Sequence, residues 1–425
     1  MLLHLSALSQ LLDSSPLRAD SDTAVMLDAI RNAGGLAGAG RWLVGDWLLE
    51  NGFYRPISSL SLTLDYAFYG ERAWGFRLTN LLLLGAISFG IFTLGTWFNR
   101  RVGLEPSEVL AFGYALLFTQ QTTGATARFY LPDWLVVLGV LAGITVWVFH
   151  QRGSLPFQSA QWGRREWWML LLGIGALYWG VSRGLGADYV RMVSWVPSRT
   201  ALLGTVFSVW ATYWLFTGLE QRSHWRLMLG ALAYLLALGS YEQPIMLMPL
   251  LMVGAWVIAQ GDYKRVLGTV ALVGGVVLVY AVLRVSLVTT EPTTYQRQQM
   301  RSSLQGPVLD LLTELVPPAG QWSYWQSVGF QPEVFLFAEP WRNLLLVAFF
   351  GGVVYLVWRN WRTFALPLTW HGLTYLPMAF LHPFEHYRLL PQVGKTAFDV
   401  LLIGFAIGLL YRLGQPQDSL EPSER

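Results

Sequence analysis

There is no cysteine anywhere in the chain, which excludes disulfides, thiolate metal sites and a cysteine nucleophile. Charge is scarce as well. Only 13% of the 425 residues are Asp, Glu, Lys or Arg, whereas 54% are hydrophobic and 21 are Trp, a balance foreign to water-soluble globules. The net charge of +3 is too small to point to nucleic acid, and in an apolar chain the placement of basic residues says more than their sum. Alternating β-barrel strands are missing, because the apolar runs are continuous. Also missing are GxSxG, HExxH, Walker and dinucleotide fingerprints.

What is present reads as an all-α polytopic membrane protein. A crossing takes roughly 20 apolar residues, and such segments are predicted near residues 78–98, 107–123, 131–149, 167–182, 200–217, 226–240, 243–259, 266–287, 342–358, 364–381 and 397–413. Residues 1–12, MLLHLSALSQLL, fall short of the roughly 17 a crossing requires. They also lack a basic n-region and a cleavage site, so a partial or short first membrane helix is expected, for about 11 to 12 in all. Alternate connections carry Arg100 and Arg101, Arg152, Arg164 and Arg165, Arg222 and Arg226, Lys264 and Arg265, Arg359 and Arg362, and Arg412; the positive-inside rule places these in the cytoplasm, with the tail at 414–425. The opposite side then receives a first outer loop at 13–77, a long loop at 288–341 and a last one at 382–396. Transmembrane helices fill 78–287, and the last three lie in 342–413. Few charges fall inside the helices, which disfavours a transporter.

The first outer loop opens PLRADSDTAVMLDAIRNAGG, with Asp20 and Asp22 ahead of a helix-like stretch that stops at Gly34-Gly35. Two readings stand. Asp20, Ser21 or Asp22 caps that helix, where a dipole favours negative charge; or one carboxylate is a general base, or the pair helps hold a divalent cation. Further on, Trp42, Asp46, Trp47, Glu50 and Tyr54 lead into Arg55-Pro56. Such rings commonly anchor at the membrane interface, while an arginine's planar fork suits a phosphate. Asp65 reads as a structural residue beside Tyr66. Glu242, in LGSYEQPIMLMPLL, occupies a short turn between apolar helices, where a carboxylate is costly unless paired or facing a cavity. Arg128, Arg191 and Arg199 lie on the same outer side, as interface anchors or, for one or two of them, as ligands. In HPFEHYRLLPQVGK, the residues His382, Glu385, His386, Tyr387, Arg388 and Lys395 crowd together. The HxxxH spacing is a weak metal signal, and phosphate binding by Arg388 with Lys395 as a second cation is favoured. His371 reads as a packing residue, and 288–341 as a helical lid or a passive cover.

These segments resemble the GT-C superfamily of membrane glycosyltransferases, and within it the protein O-mannosyltransferase-like branch that includes tetratricopeptide-linked mannosyltransferases. The likeness rests on Asp20-Ser21-Asp22, on YRPISSLSLTLDYAFYGERAWGFRLTNLLLL, on WVPSRTALLGTVF and SYEQPIMLMPLL, and on HYRLLPQVG. Arg77 stands where that branch usually has a histidine, and Ser21 splits its acidic pair. The resemblance implies a GT-C-like helical bundle with a helical first outer loop, working on the outer, periplasmic side of a bacterial-type cytoplasmic membrane. It implies an inverting sugar transfer from a polyprenyl-phosphate donor to an acceptor protein or glycolipid, with no resident cofactor beyond a divalent cation and no nucleic acid. Asp20 or Asp22 would take the acceptor's proton, with Glu242 orienting the acceptor or an arginine. Tyr54, Arg55, Arg199, Glu385, Tyr387, Arg388 and Lys395 would line the substrate. The rival expectation is a non-catalytic scaffold of the same fold that binds lipid or a membrane protein partner.

Overall fold

The computed structural model of the chain describes residues 17–104, 107–123, 191–289, 291–300, 351–352, 354–381 and 385–413. The expected helices at 1–12, 131–149 and 167–182, Arg128, residues 301–350 and the tail at 414–425 lie outside the described residues. What is described is helical throughout, and an isolated antiparallel bridge joins Met300 to Leu381. The helices are α1 (Ser21–Asn32), α2 (Pro56–Tyr69), α3 (Ala73–Val102), α4 (Ser107–Thr123), α5 (Arg199–Glu220), α6 (His224–Leu238), α7 (Met248–Ala259), α8 (Tyr263–Leu287), α9 (Thr294–Gln299), α10 (Trp361–Ala379) and α11 (Leu389–Leu413).

Local chemistry accounts for most of the boundaries. Asp20 caps α1, and the chain leaves that helix through Gly34 and Gly35 at φ 83° and 63°. Pro56 opens α2 at a position where its missing N–H has no partner to lose. Arg100 and Arg101 fill the last turn of α3, favourably placed against the helix dipole, and Gly103 ends it at φ 74°. Asp262 starts α8 by accepting from Arg265 N at 3.3 Å.

Among the described residues, three stretches are long and apolar enough to cross a membrane: Ala73–Val102, Val196–Glu220 and Tyr263–Leu287. The apolar helices at Ser107–Phe118, His224–Leu238 and Gln243–Ala259 are shorter. The apolar window of the α5 stretch is 78% buried against 22% for α8, so α5 is the centre of the bundle and α8 its flank. Around α5 pack α3, α6, α7 and α11, while α4 lies on α3 and α10 on α11. Exposed Leu267, Leu278, Val282 and Val285 give α8 an apolar outer surface of the kind hydrocarbon chains cover. A second, smaller core of Met26, Leu27, Ile30, Trp42, Trp47 and Phe76 gathers much of the segment before α3.

Two boundaries differ from expectation for physical reasons. The helix predicted from 78 begins at Ala73, because Phe76 continues it into this second core, where it is 0% exposed. The helix predicted from 397 begins at Leu389, with Pro391 in its first turn, where proline is tolerated. Charge inside the helices also exceeds expectation. Arg199 pairs with Asp65 at 2.6 Å, and Lys395 meets both carboxylate oxygens of Asp399 at 2.7 and 2.6 Å, all four residues being buried.

Candidate functional site

A bonded loop comes first. The Asp46 carboxylate accepts from Trp47 N (2.8 Å) and Phe53 N (3.0 Å) through one oxygen and from Gly52 N (2.6 Å) through the other. That clasp presents two rings to Arg55, whose guanidinium carbon lies 4.1 Å from the centroid of Phe53, 4.7 Å from Trp47 and 4.8 Å from Tyr241. Cations over ring faces are attracted by the ring quadrupole. Arg55 Nε and Nη2 then donate to a single oxygen of Glu242, Oε2, at 2.9 and 2.8 Å. The pair leaves Nη1 outside it. Glu242 Oε1 is buried and has no hydrogen-bond partner among the described protein groups. Burial opposes the charge on Arg55, but Glu242 outweighs it and holds the arginine pKa above its ordinary value.

A latch joins the two halves of this pair. Ile57 N donates to Gly239 O at 3.0 Å and Ser58 Oγ to Ser240 O at 2.9 Å, so the start of α2 is bonded to the turn that carries Tyr241 and Glu242. Gln243 extends the tie by donating to Thr374 O (3.0 Å) and Tyr387 O (2.8 Å), which brings the turn Glu385–Arg388 alongside. In that turn the His386 ring lies 5.0 Å from Trp195 and 6.4 Å from Tyr241.

From the other side, α8 and α9 close over the first loop. Arg284 Nη2 donates to Gly52 O at 2.6 Å, Gln296 Nε2 to the same oxygen at 3.1 Å, and Thr293 Oγ1 to Asn51 O at 3.2 Å. Gly52 sits at φ 89°, and a Cβ there would lie 2.9 Å from Thr293 Cγ2, so any side chain at this position is strained. One turn before Arg284, the buried Tyr280 ring packs 6.1 Å from Tyr54. Tyr295 of α9 feels both Arg55 and Asp22, although burial is the main cause of its raised pKa. Burial likewise pushes the Tyr241 and Tyr387 hydroxyls up.

The residues anticipated from sequence therefore separate into groups. Arg55 and Glu242 are in direct contact, with Tyr387 beside them. Tyr54 forms a wall, its hydroxyl donating to Leu43 O at 3.0 Å. Asp22 is half-buried in the first turn of α1, and its charge acts on Tyr295. Asp20 is engaged in the cap, accepting from Thr23 N at 2.9 Å and Thr23 Oγ1 at 2.6 Å. Arg199 is 0% exposed and donates to Asn80 Oδ1 (2.6 Å), Ser61 Oγ (2.7 Å), Asp65 Oδ2 (2.6 Å) and Phe76 O (3.1 Å), a tie between α2, α3 and α5. Lys395, expected in a loop, lies inside α11 on Asp399. Arg388 is buried at the end of the 3-10 turn Glu385–Arg388, and the side chains of Glu385 and Arg191 lie outside the described residues. Among the described residues no cluster of three or more His, Cys, Asp or Glu could hold a metal ion.

Sequence reasoning left Tyr241, Tyr280 and Tyr295 without a role and read Trp47 as an interface anchor. A signal for Tyr280 did exist. It is the one hydroxyl in VGGVVLVYAVLRV, four residues before Arg284 and so on the same helix face. Compared with known protein families, characterised proteins and solved structures, the chain matches none, and the site is read from its own geometry.

Proposed function

We propose that the chain is a membrane glycosyltransferase of GT-C type, moving a sugar with inversion from a polyprenyl-phosphate donor to a protein or glycolipid acceptor on the outer face of a bacterial-type cytoplasmic membrane. The observation that carries this reading is the ring-caged Arg55–Glu242 pair, tied to the segments at 46–58, 239–243 and 385–388 at once, with Tyr295 standing under the influence of both Arg55 and Asp22 of α1. A lipid donor arrives sideways from the bilayer, so its phosphate meets the protein at this level.

In this reading Asp22 takes the proton from the acceptor hydroxyl, because Asp20 is occupied as a cap. The acceptor oxygen forms its bond to the anomeric carbon as the bond from that carbon to the phosphate oxygen breaks. The electron pair leaves with the lipid phosphate, whose growing charge needs a fixed cation more than a proton. Arg55 Nη1 supplies that cation, and Glu242 and the rings hold its orientation. A scaffold reading draws on one specific observation, that Glu242 already neutralises Arg55.

Purified protein in liposomes containing polyprenyl-phosphate-linked radiolabelled hexose separates the two. Transfer to a peptide or glycolipid acceptor is expected, and Asp22→Asn should lower it by roughly 10²- to 10⁴-fold while Asp20→Asn mainly loosens α1. Undiminished transfer in Asp22→Asn removes the base assignment. No transfer from any donor, together with a stoichiometric membrane partner on purification, establishes the scaffold.

A further inference from the structure

Beside the caged arginine lie two polar atoms that the fold leaves unsatisfied. Glu242 Oε1 is one, and the Tyr280 hydroxyl is the other; each is buried without a partner among the described residues. Unpaired buried polar atoms carry a desolvation cost of about 1–3 kcal/mol each, so the survival of two within electrostatic reach of one another asks for a reason. They are brought there by different devices. Glu242 is set by the latch to α2, and Tyr280 by the docking of Arg284 on Gly52 one turn further along α8. The charges of Glu242 and Arg55 both act on the Tyr280 hydroxyl.

The chemistry of the gap is restrictive. A carboxylate oxygen accepts only, whereas a phenol both donates and accepts, so the missing group must offer at least one donor to Glu242 and meet Tyr280 with either. The cation is already supplied. Arg55 and Glu242 sum to zero charge, which makes a second cation such as an ammonium unfavourable there and favours a neutral hydroxyl. The Tyr54 ring packs on Tyr280 and the Tyr241 ring on Arg55, and rings of this kind, apolar in body with a polar tip, suit the C–H face of a pyranose.

We propose that Glu242 Oε1 and the Tyr280 hydroxyl together bind neutral sugar hydroxyls, making this the pocket that holds a hexose ring while Arg55 faces its phosphate. The assignment rests on the sugar-transfer reading for which part of the donor sits here, and on the two unsatisfied atoms for the site itself. Tyr280 is thereby a binding residue on a helix that otherwise faces lipid.

Saturation-transfer NMR on the full chain in lipid nanodiscs, free of glycoside detergent, tests it with methyl α-mannopyranoside and methyl β-glucopyranoside as probes. Methylammonium and inorganic phosphate serve as the competing chemistries. At least one hexoside should bind, and Tyr280→Phe should weaken it about tenfold. Tyr280→Phe removes only an unpartnered oxygen, so its thermal midpoint should equal or exceed that of the parent, and a folding defect does not confuse the result. Absence of any hexoside signal in the parent, or equal binding in Tyr280→Phe, overturns the proposal. So does methylammonium binding that depends on Glu242, which would make the oxygen a cation site. The two readings fail separately. Hexoside binding without any transfer keeps the pocket and removes the enzyme; transfer indifferent to Tyr280→Phe keeps the enzyme and removes the pocket.

Discussion

Two buried arginines of the protein each pair with a carboxylate, the same chemistry in very different settings. Arg199 and Asp65 form a closed unit, in which the arginine makes four hydrogen bonds and shows no surface at all. Arg55 and Glu242 form an open one, with two donors crowded onto one oxygen, a second oxygen unsatisfied and Glu242 still 29% exposed. A pair that only ties helices together is expected to use up its bonding capacity, since every unused group costs stability. The unused capacity of the second pair is what separates a candidate site from a strut.

That contrast can be broken at its strong end first. Asp65→Asn should destabilise the fold by about 3–5 kcal/mol, since it leaves a buried guanidinium without its counter-charge; a thermal midpoint close to the parent's in nanodiscs would show the unit is not closed. Glu242→Gln should cost less stability, about 1–3 kcal/mol, and yet reduce transfer roughly a hundredfold. Read through a double-mutant cycle with Arg55→Gln, the two losses should be far from additive. Gly52→Ala forces a left-handed backbone and a clash with Thr293, for about 1–2 kcal/mol. Its signature should be local, as faster hydrogen exchange across residues 291–300 with the helical bundle unchanged.

The smallest effect concerns acid. Hydrogen bonds from Arg18 hold the Glu71 carboxyl below its ordinary 4.5, with Arg31 also adding to the attraction. A depressed carboxylate contributes its stabilisation above the unfolded value and loses it as pH falls through the folded one. Proteolysis of the 17–32 segment should therefore be flat near neutrality, rise on acidification below that range, and lose this dependence in Glu71→Gln. Salt should shrink it, because these groups are near the surface.

Much of the helical pattern could be read from the chain, because long apolar runs and basic punctuation are local properties. Arg55 and Glu242 stood out for the same kind of reason, each being a charge in an apolar setting. Their union did not, since nothing local links positions 187 residues apart. Arg199 looked like an interface cation because its counter-ion, Asp65, lies 134 residues away on α2; Lys395 looked like a loop cation because the helix was expected to start at 397, although Asp399 is its i,i+4 partner. The start of α11 was missed because Pro391 was read as a loop residue, although proline in a first turn is compatible with helix.

The latch between α2 and the turn after α6 has a consequence in time as well as in space. Arg55 emerges from the ribosome 187 residues before Glu242, which at roughly 5–20 residues per second is a delay of roughly 10–40 s. Throughout that interval the first outer loop has a clasp from Asp46 but lacks its carboxylate, the Tyr241 ring and the carbonyls that receive Ile57 and Ser58. Completion of the cage thus reports that the middle of the chain has reached its place, and a chain stalled before Gly239 carries an arginine whose counter-charge has not yet been made.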